Sequence, residues 1–104
     1  MTDALIVFST CADETDALRL ANTLVEARLA ACVNVLPAIQ SIYRWEGAIE
    51  NAREILLVIK TTRERFEAVR DHISANHSYD TPEVIAVPAS AGSEKYLAWL
   101  KAQV

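Results

Sequence analysis

Two thiols, Cys11 and Cys32, and two imidazoles, His72 and His77, have the widest chemical reach in this sequence. Thiolate and imidazole are ligand types that transition metals such as copper and zinc accept. Spacing gives them no local motif: the histidines stand five apart, off the i, i+4 step that places two on one helix face, and the cysteines lack metal-ligand spacing. In a chain with an adequate core, both cysteines read as free thiols rather than a disulfide staple. Cys32, inside an apolar strand, reads as a small buried hydrophobe. Catalysis finds no support, because nothing resembles a nucleophile elbow, a P-loop or a zinc-protease helix. With only Gly47 and Gly92, no glycine-rich loop exists to cradle a phosphate, so a non-enzymatic role is expected.

A second group is aromatic and charged. Tyr43, Arg44 and Trp45 read as interface anchors ahead of walls of a ligand cleft, since Trp, Tyr and Arg dominate interface energetics. Lys60, beside Thr61 and Thr62, could meet an anion at helix N-terminal amides, but reads first as an interface salt bridge. Tyr79 to Glu83 reads as a loop closing over a neighbouring subunit, with its shape fixed by Pro82. Glu46 and Glu50 read as solvated charge.

Stepping along the chain, residues 5–8 form a continuous apolar run ahead of Ser9, Thr10 and Cys11, which suits a central strand. Asp13 can cap the helix that follows, with Glu14 and Asp16 in its first turn and Ala17, Leu18, Ala21, Leu24, Val25 and Leu29 as its apolar stripe. Residues 29–60 are rich in β-branched and aromatic side chains. Glu46-Gly47 is the one turn signal at their middle, so they read as two strands of a hairpin. An arm of about 15 residues would reach roughly 50 Å, against a radius of gyration of about 13 Å for a compact domain of this length. The hairpin should overhang its own core, leaving Ile42, Tyr43, Trp45 and Ile49 for another copy of the chain to cover. Pro37 implies a bulge or an edge in the first arm.

Thr61-Thr62-Arg63-Glu64 matches a capping box, and Phe66, Val69 and Ile73 stripe the next helix. Residues 76–82 are a loop, residues 83–88 a buried strand, and Gly92-Ser93 opens a last helix in which Tyr96, Leu97, Leu100 and Val104 pack. The order β-α-β-β-α-β plus a terminal helix predicts an α+β chain with ferredoxin-like topology: one domain over residues 1–104, a four-stranded antiparallel sheet, two helices on one face and the other face largely open. Three sheet faces packed about an axis would close it.

Bulk composition narrows the partners. The 104 residues carry a formal net charge of −4 with no clustered Lys or Arg, which argues against nucleic acid and anionic membrane. No apolar run approaches the roughly 18–20 residues of a membrane span. The first residues enter a strand without a basic n-region, so a cytoplasmic protein is expected.

Leu29-Ala30-Ala31-Cys32-Val33-Asn34, Ser41-Ile42-Tyr43-Arg44-Trp45-Glu46-Gly47, Ile59-Lys60-Thr61, Thr81-Pro82-Glu83-Val84-Ile85-Ala86 and Tyr96-Leu97-Ala98-Trp99-Leu100 resemble, in order and spacing, the CutA family of divalent-cation tolerance proteins. The resemblance covers nearly the whole chain. It implies a homotrimer clasped by long hairpins, similar in architecture to the PII signalling proteins, and it implies binding of divalent metal, copper above all. Metal-binding relatives look to use a thiol near the end of the first strand and a His-His-Pro-Tyr segment before the last. Here those positions read Ser9 and Asn76-His77-Ser78-Tyr79, leaving His77 from the pair and Cys11, two residues on along the same strand face, as the candidate ligands. The alternatives are a PII-like sensor holding a small anionic metabolite through Lys60, Arg44 and Tyr43, and a scaffold trimer without a direct metal role.

Overall fold

The structure, a computed structural model, describes residues 2–104. Strand β1 (Ala4–Cys11) leads into helix α1 (Glu14–Glu26); the hairpin follows as β2 (Cys32–Trp45) and β3 (Ala48–Thr62). A 3-10 turn (Arg63–Arg65) opens α2 (Phe66–Asn76), and β4 (Ile85–Pro88) and α3 (Glu94–Gln103) complete the chain. The sheet order is β2-β3-β1-β4 with every pairing antiparallel, which is the expected ferredoxin-like arrangement.

One core lies between the sheet and helices α1 and α2. Val7 and Cys11 from β1 and Leu57 and Ile59 from β3 meet Leu20 and Leu24 of α1 and Val69 and Ile73 of α2. Alternate residues of the same strands face the other way, because side chains along a strand have period two. There α3 seats Leu100 against Ala4 and Ala31 and covers one corner only. Ile85 and Val87 remain 59% and 44% exposed on that face. The expected buried strand at 83–88 is therefore shorter than predicted and half-covered, because β4 is an edge.

Asp13 caps α1 as expected, its Oδ1 accepting from the Asp16 amide at 2.9 Å. The expected stripe is partly out of phase: Leu20 is buried, while Leu18 and Val25 face outward. Arg28 then takes a left-handed φ of 57° and ends the helix without a glycine, so no punctuation in the sequence marks the stop. The capping box at 61–64 is not made; Thr62 flanks the 3-10 turn without a side-chain cap, and the Thr61 hydroxyl instead donates to the Leu29 carbonyl at 2.6 Å. In α3 the Ser93 hydroxyl caps the Tyr96 amide as the sequence implied, but the Tyr96 ring lies outside the packed stripe and leans on Trp99.

The hairpin divides in two. β1 pairs with β3 only from Ile55 to Thr62, so residues 48–54 have β2 as their sole neighbour and form a two-stranded ribbon beyond the sheet. Pro37 lies at the join: the register slips between Leu36 and Ile39, and Ala38 adopts a φ of 60°. That bulge adds one residue to β2, so even-numbered residues face the open side before it and odd-numbered ones after it. The long axis of the chain measures 44 Å, shorter than a flat 15-residue arm, as a bent and twisted ribbon requires. At the tip Glu46 and Gly47 both have positive φ, 49° and 81°, the pairing that a two-residue type I′ turn demands.

Candidate functional site

The loop 77–83, between α2 and β4, touches both faces of the sheet, and a different group of candidate residues collects on each.

On the helix side, the Cys11 thiol stands 3.8 Å from His77 Nε2. The same Nε2 lies 2.7 Å from the Thr10 carbonyl, so it carries the proton and donates; His77 Nδ1 is then the acceptor for the Tyr79 amide at 2.9 Å. Both ring nitrogens are thus occupied. Burial, with the Asp16 carboxylate adding to it, pushes the Cys11 thiol up from 9.0 to about 11, and it stays protonated at neutral pH. A metal at this pair would have to displace that proton and the Nε2 hydrogen bond, and among the described residues no group of three or more His, Cys, Asp or Glu stands close enough to hold an ion. As it stands, the pair does not fit a preformed metal site. Ser9, two residues before Cys11 on the same strand face, is fully buried, and among the described residues its hydroxyl has no hydrogen-bond partner.

The remaining thiol and imidazole lie apart from this pair. His72 donates from Nε2 to the Thr23 hydroxyl at 2.9 Å, which in turn donates to the Leu20 carbonyl, so it bridges α2 to α1. Cys32 is half-buried on the open face opposite Lys60, not in the core, because its position falls on the even-numbered side of β2. Both cysteines are free.

On the open side, the ribbon and the loop enclose a cleft of about 510 Å³. Tyr43, Trp45 and Tyr79 contribute rings, and Glu54, Asp80 and Glu83 contribute carboxylates. The phase shift at the bulge brings Tyr43 and Trp45 to the same side as Glu54. The Tyr79 hydroxyl donates to Glu54 Oε2 at 2.7 Å, tying the loop to the root of the ribbon. Burial, followed by the Glu54 hydrogen bond and charge, raises the Tyr79 hydroxyl above its ordinary value, so it remains a donor. Glu54 itself is 8% exposed and, among the described residues, forms no ion pair.

Sequence-derived candidates therefore separate. Tyr43, Trp45, Tyr79 and Glu83 converge on the cleft, Cys11 and His77 pair behind it, and Arg44 and Lys60 join neither. Lys60 donates to the Asn34 side chain on the open face. Glu54 ends the polar stretch 50–54, which by composition reads as solvated ribbon, so sequence reasoning gives it no role. The available signal was its place immediately before the apolar run 55–59, two residues from Leu56, which puts it on a face that the sheet begins to cover.

A four-stranded antiparallel sheet backed by two helices, extended by an overhanging hairpin and carrying an aromatic cleft at the hairpin's root, defines a small α+β class of protein. The family model described as "CutA1 divalent ion tolerance protein" matches residues 5–103, and the chain belongs to that family. "Protein CutA, chloroplastic" of Arabidopsis thaliana is 47% identical over 98 residues, which are 94% of this chain and 54% of that protein, so the chain spans about half the length of that relative. The "Divalent-cation tolerance protein CutA" of Pectobacterium atrosepticum is 42% identical over 104 residues, covering 100% and 94%. Among solved structures, CutA from Xylella fastidiosa superposes with a TM-score of 0.96 at 43% identity, covering 98% of both chains. The Thermus thermophilus divalent cation tolerance protein gives 0.94 at 41% identity over 96% and 97%. The family is named for tolerance of divalent ions and not for a reaction.

Proposed function

We propose that this protein is a non-enzymatic, cytoplasmic homotrimer of the CutA type that contributes to tolerance of divalent cations, with the hairpins clasping neighbouring subunits. One observation carries the assembly: the ribbon's open side leaves Tyr43 at 43% and Trp45 at 50% exposed, on the same side as the sheet face where Ile85 and Val87 are uncovered, and Ile42 and Ile49 are exposed on its other side. A surface of that kind and extent on a small subunit is what an interface covers. Sedimentation should give a mass near three times 11.5 kDa at micromolar concentration, and Trp45→Ala should lower it while leaving the far-ultraviolet circular dichroism unchanged. A wild-type chain that sediments as a monomer would sink this reading.

Copper enters the proposal through Cys11 and His77, the one thiol–imidazole pair the fold brings together. Because loading would release the Cys11 proton, affinity should be modest and should rise with pH. Calorimetry with Cu(II) tests it: heat that survives both Cys11→Ser and His77→Ala removes the pair as ligands. The anion-sensor alternative has the lining of the cleft against it, which holds three carboxylates and no lysine or arginine among the described residues. Fractionation of cells producing the full-length protein tests the compartment.

A further inference from the structure

Alternation along the ribbon sorts its charges by side. Residues directly opposite in an antiparallel pair point the same way, so the register places Ile42 and Arg44 of β2 with Ile49 and Arg53 of β3 on one side, where the Gln40 and Asn51 side chains also bond. Tyr43, Trp45, Glu50 and Glu54 fall on the other, the open side of the sheet. Both arginines of the two ribbon strands therefore stand with the isoleucines, and both strand glutamates stand with the rings. Asp80 and Glu83, on the loop that flanks the ribbon, add carboxylates beside those rings. Glu54 is held by the Tyr79 phenol, so Glu50, Asp80 and Glu83 are the exposed acids. Lys60 shares the open side, but it lies at the root, beyond the bulge, and donates to Asn34. Arg44 and Arg53 are exposed, and neither forms an ion pair among the described residues.

Resting on the homotrimer reading, we propose that these two sides are the two halves of one contact between copies of this chain: the arginine side of one ribbon lies on the ring-and-carboxylate side of the next. Bringing like sides together would set arginine against arginine or carboxylate against carboxylate, which opposes binding. Unlike sides match in charge, and each carries exposed apolar side chains, Ile42 and Ile49 on one and Tyr43 and Trp45 on the other. Two different patches on one chain make a head-to-tail contact, which closes into a ring, whereas a two-fold dimer needs one patch that matches itself. The charge pattern thus selects a ring over a dimer. Apolar side chains hold the faces together, and charge decides which faces meet.

Sedimentation of the full chain at low and moderate salt tests the pairing with charge-reversed variants at exposed positions. Arg44→Glu with Arg53→Glu should weaken assembly about ten-fold or more, and Glu50→Arg with Glu83→Arg should do the same, with the far-ultraviolet circular dichroism of the wild type kept in both. All four substitutions in one chain should bring the dissociation constant back to within about three-fold of wild type, because every contact again sets unlike charges together. Added salt should weaken the wild type and strengthen each half-reversed variant. A wild type that stays trimeric while reversal of either side leaves its mass unchanged, or a four-fold swap that restores nothing, would overturn the pairing and leave the trimer standing. A monomeric wild type would overturn both. Should a half-reversed variant fail to fold, the milder pairs Arg44→Gln with Arg53→Gln and Glu50→Gln with Glu83→Gln should each weaken assembly about three-fold, and no change in either would equally overturn the pairing.

Discussion

The two strands of the hairpin belong to two different structures. At the root, β3 runs between β1 and β2, and Leu57 and Ile59 are wholly buried; past the bulge, the same strand has one neighbour, and Ile49 is mostly exposed. β3 is continuous through both halves, although its root, Ile55 to Thr62, is rich in strand formers and its outer part, Ala48 to Glu54, is not. Pairing with β2 carries the strand outward, while position in the sheet decides whether an isoleucine is buried or left exposed.

That contrast can be broken by substitution. Leu57→Ala should cost about 3 kcal/mol in urea denaturation, the usual range for a buried leucine, and a loss below about 1 kcal/mol would mean the root is not the core. The root should also carry the alkaline response. Cys11 has a folded-state value raised from 9.0 to about 11, so its contribution is complete below pH 9 and disappears as pH climbs through 11. Two units correspond to about 2–3 kcal/mol. Stability measured from pH 8 to 11.5 should fall accordingly, and Cys11→Ala should flatten the first part of that fall. Gly47→Ala meets no atom within 4 Å and suffers only from a φ of 81°; about 1 kcal/mol should be lost, read as faster amide exchange in the ribbon with the core amides unchanged. Ile49→Ala should shift the stability of the folded chain by less than about 0.5 kcal/mol, and a larger loss that depends on protein concentration would mark Ile49 as a contact of the proposed trimer.

Much of this organisation was legible beforehand. The element order, the Asp13 cap, the Glu46-Gly47 turn, the bulge at Pro37 and the dry root with its wet tip all follow from local chemistry that has few alternatives. What escaped depends on long-range placement. Leu18 and Leu20 are equally apolar, and the packing of α1 on the sheet selects Leu20. The capping box at Thr61 fails because that hydroxyl finds the Leu29 carbonyl, 32 residues away, a competitor no local pattern contains. Tyr43, Arg44 and Trp45 are consecutive, yet alternation sends the guanidinium away from the two rings, and a bulge upstream decides which side is which. Glu54 is polar by type and buried by location, and only the fold supplies the second fact.

The loop between α2 and β4 works as a yoke. From the Thr10 carbonyl, hydrogen bonds run unbroken through the imidazole of His77 to the Tyr79 amide, and from the Tyr79 phenol to Glu54, so one short segment straddles the edge of the sheet with a hand on each side. Loss of either tie, the Tyr79 phenol to Glu54 or the His77 imidazole to the Thr10 carbonyl, leaves the segment held from one side of the sheet alone.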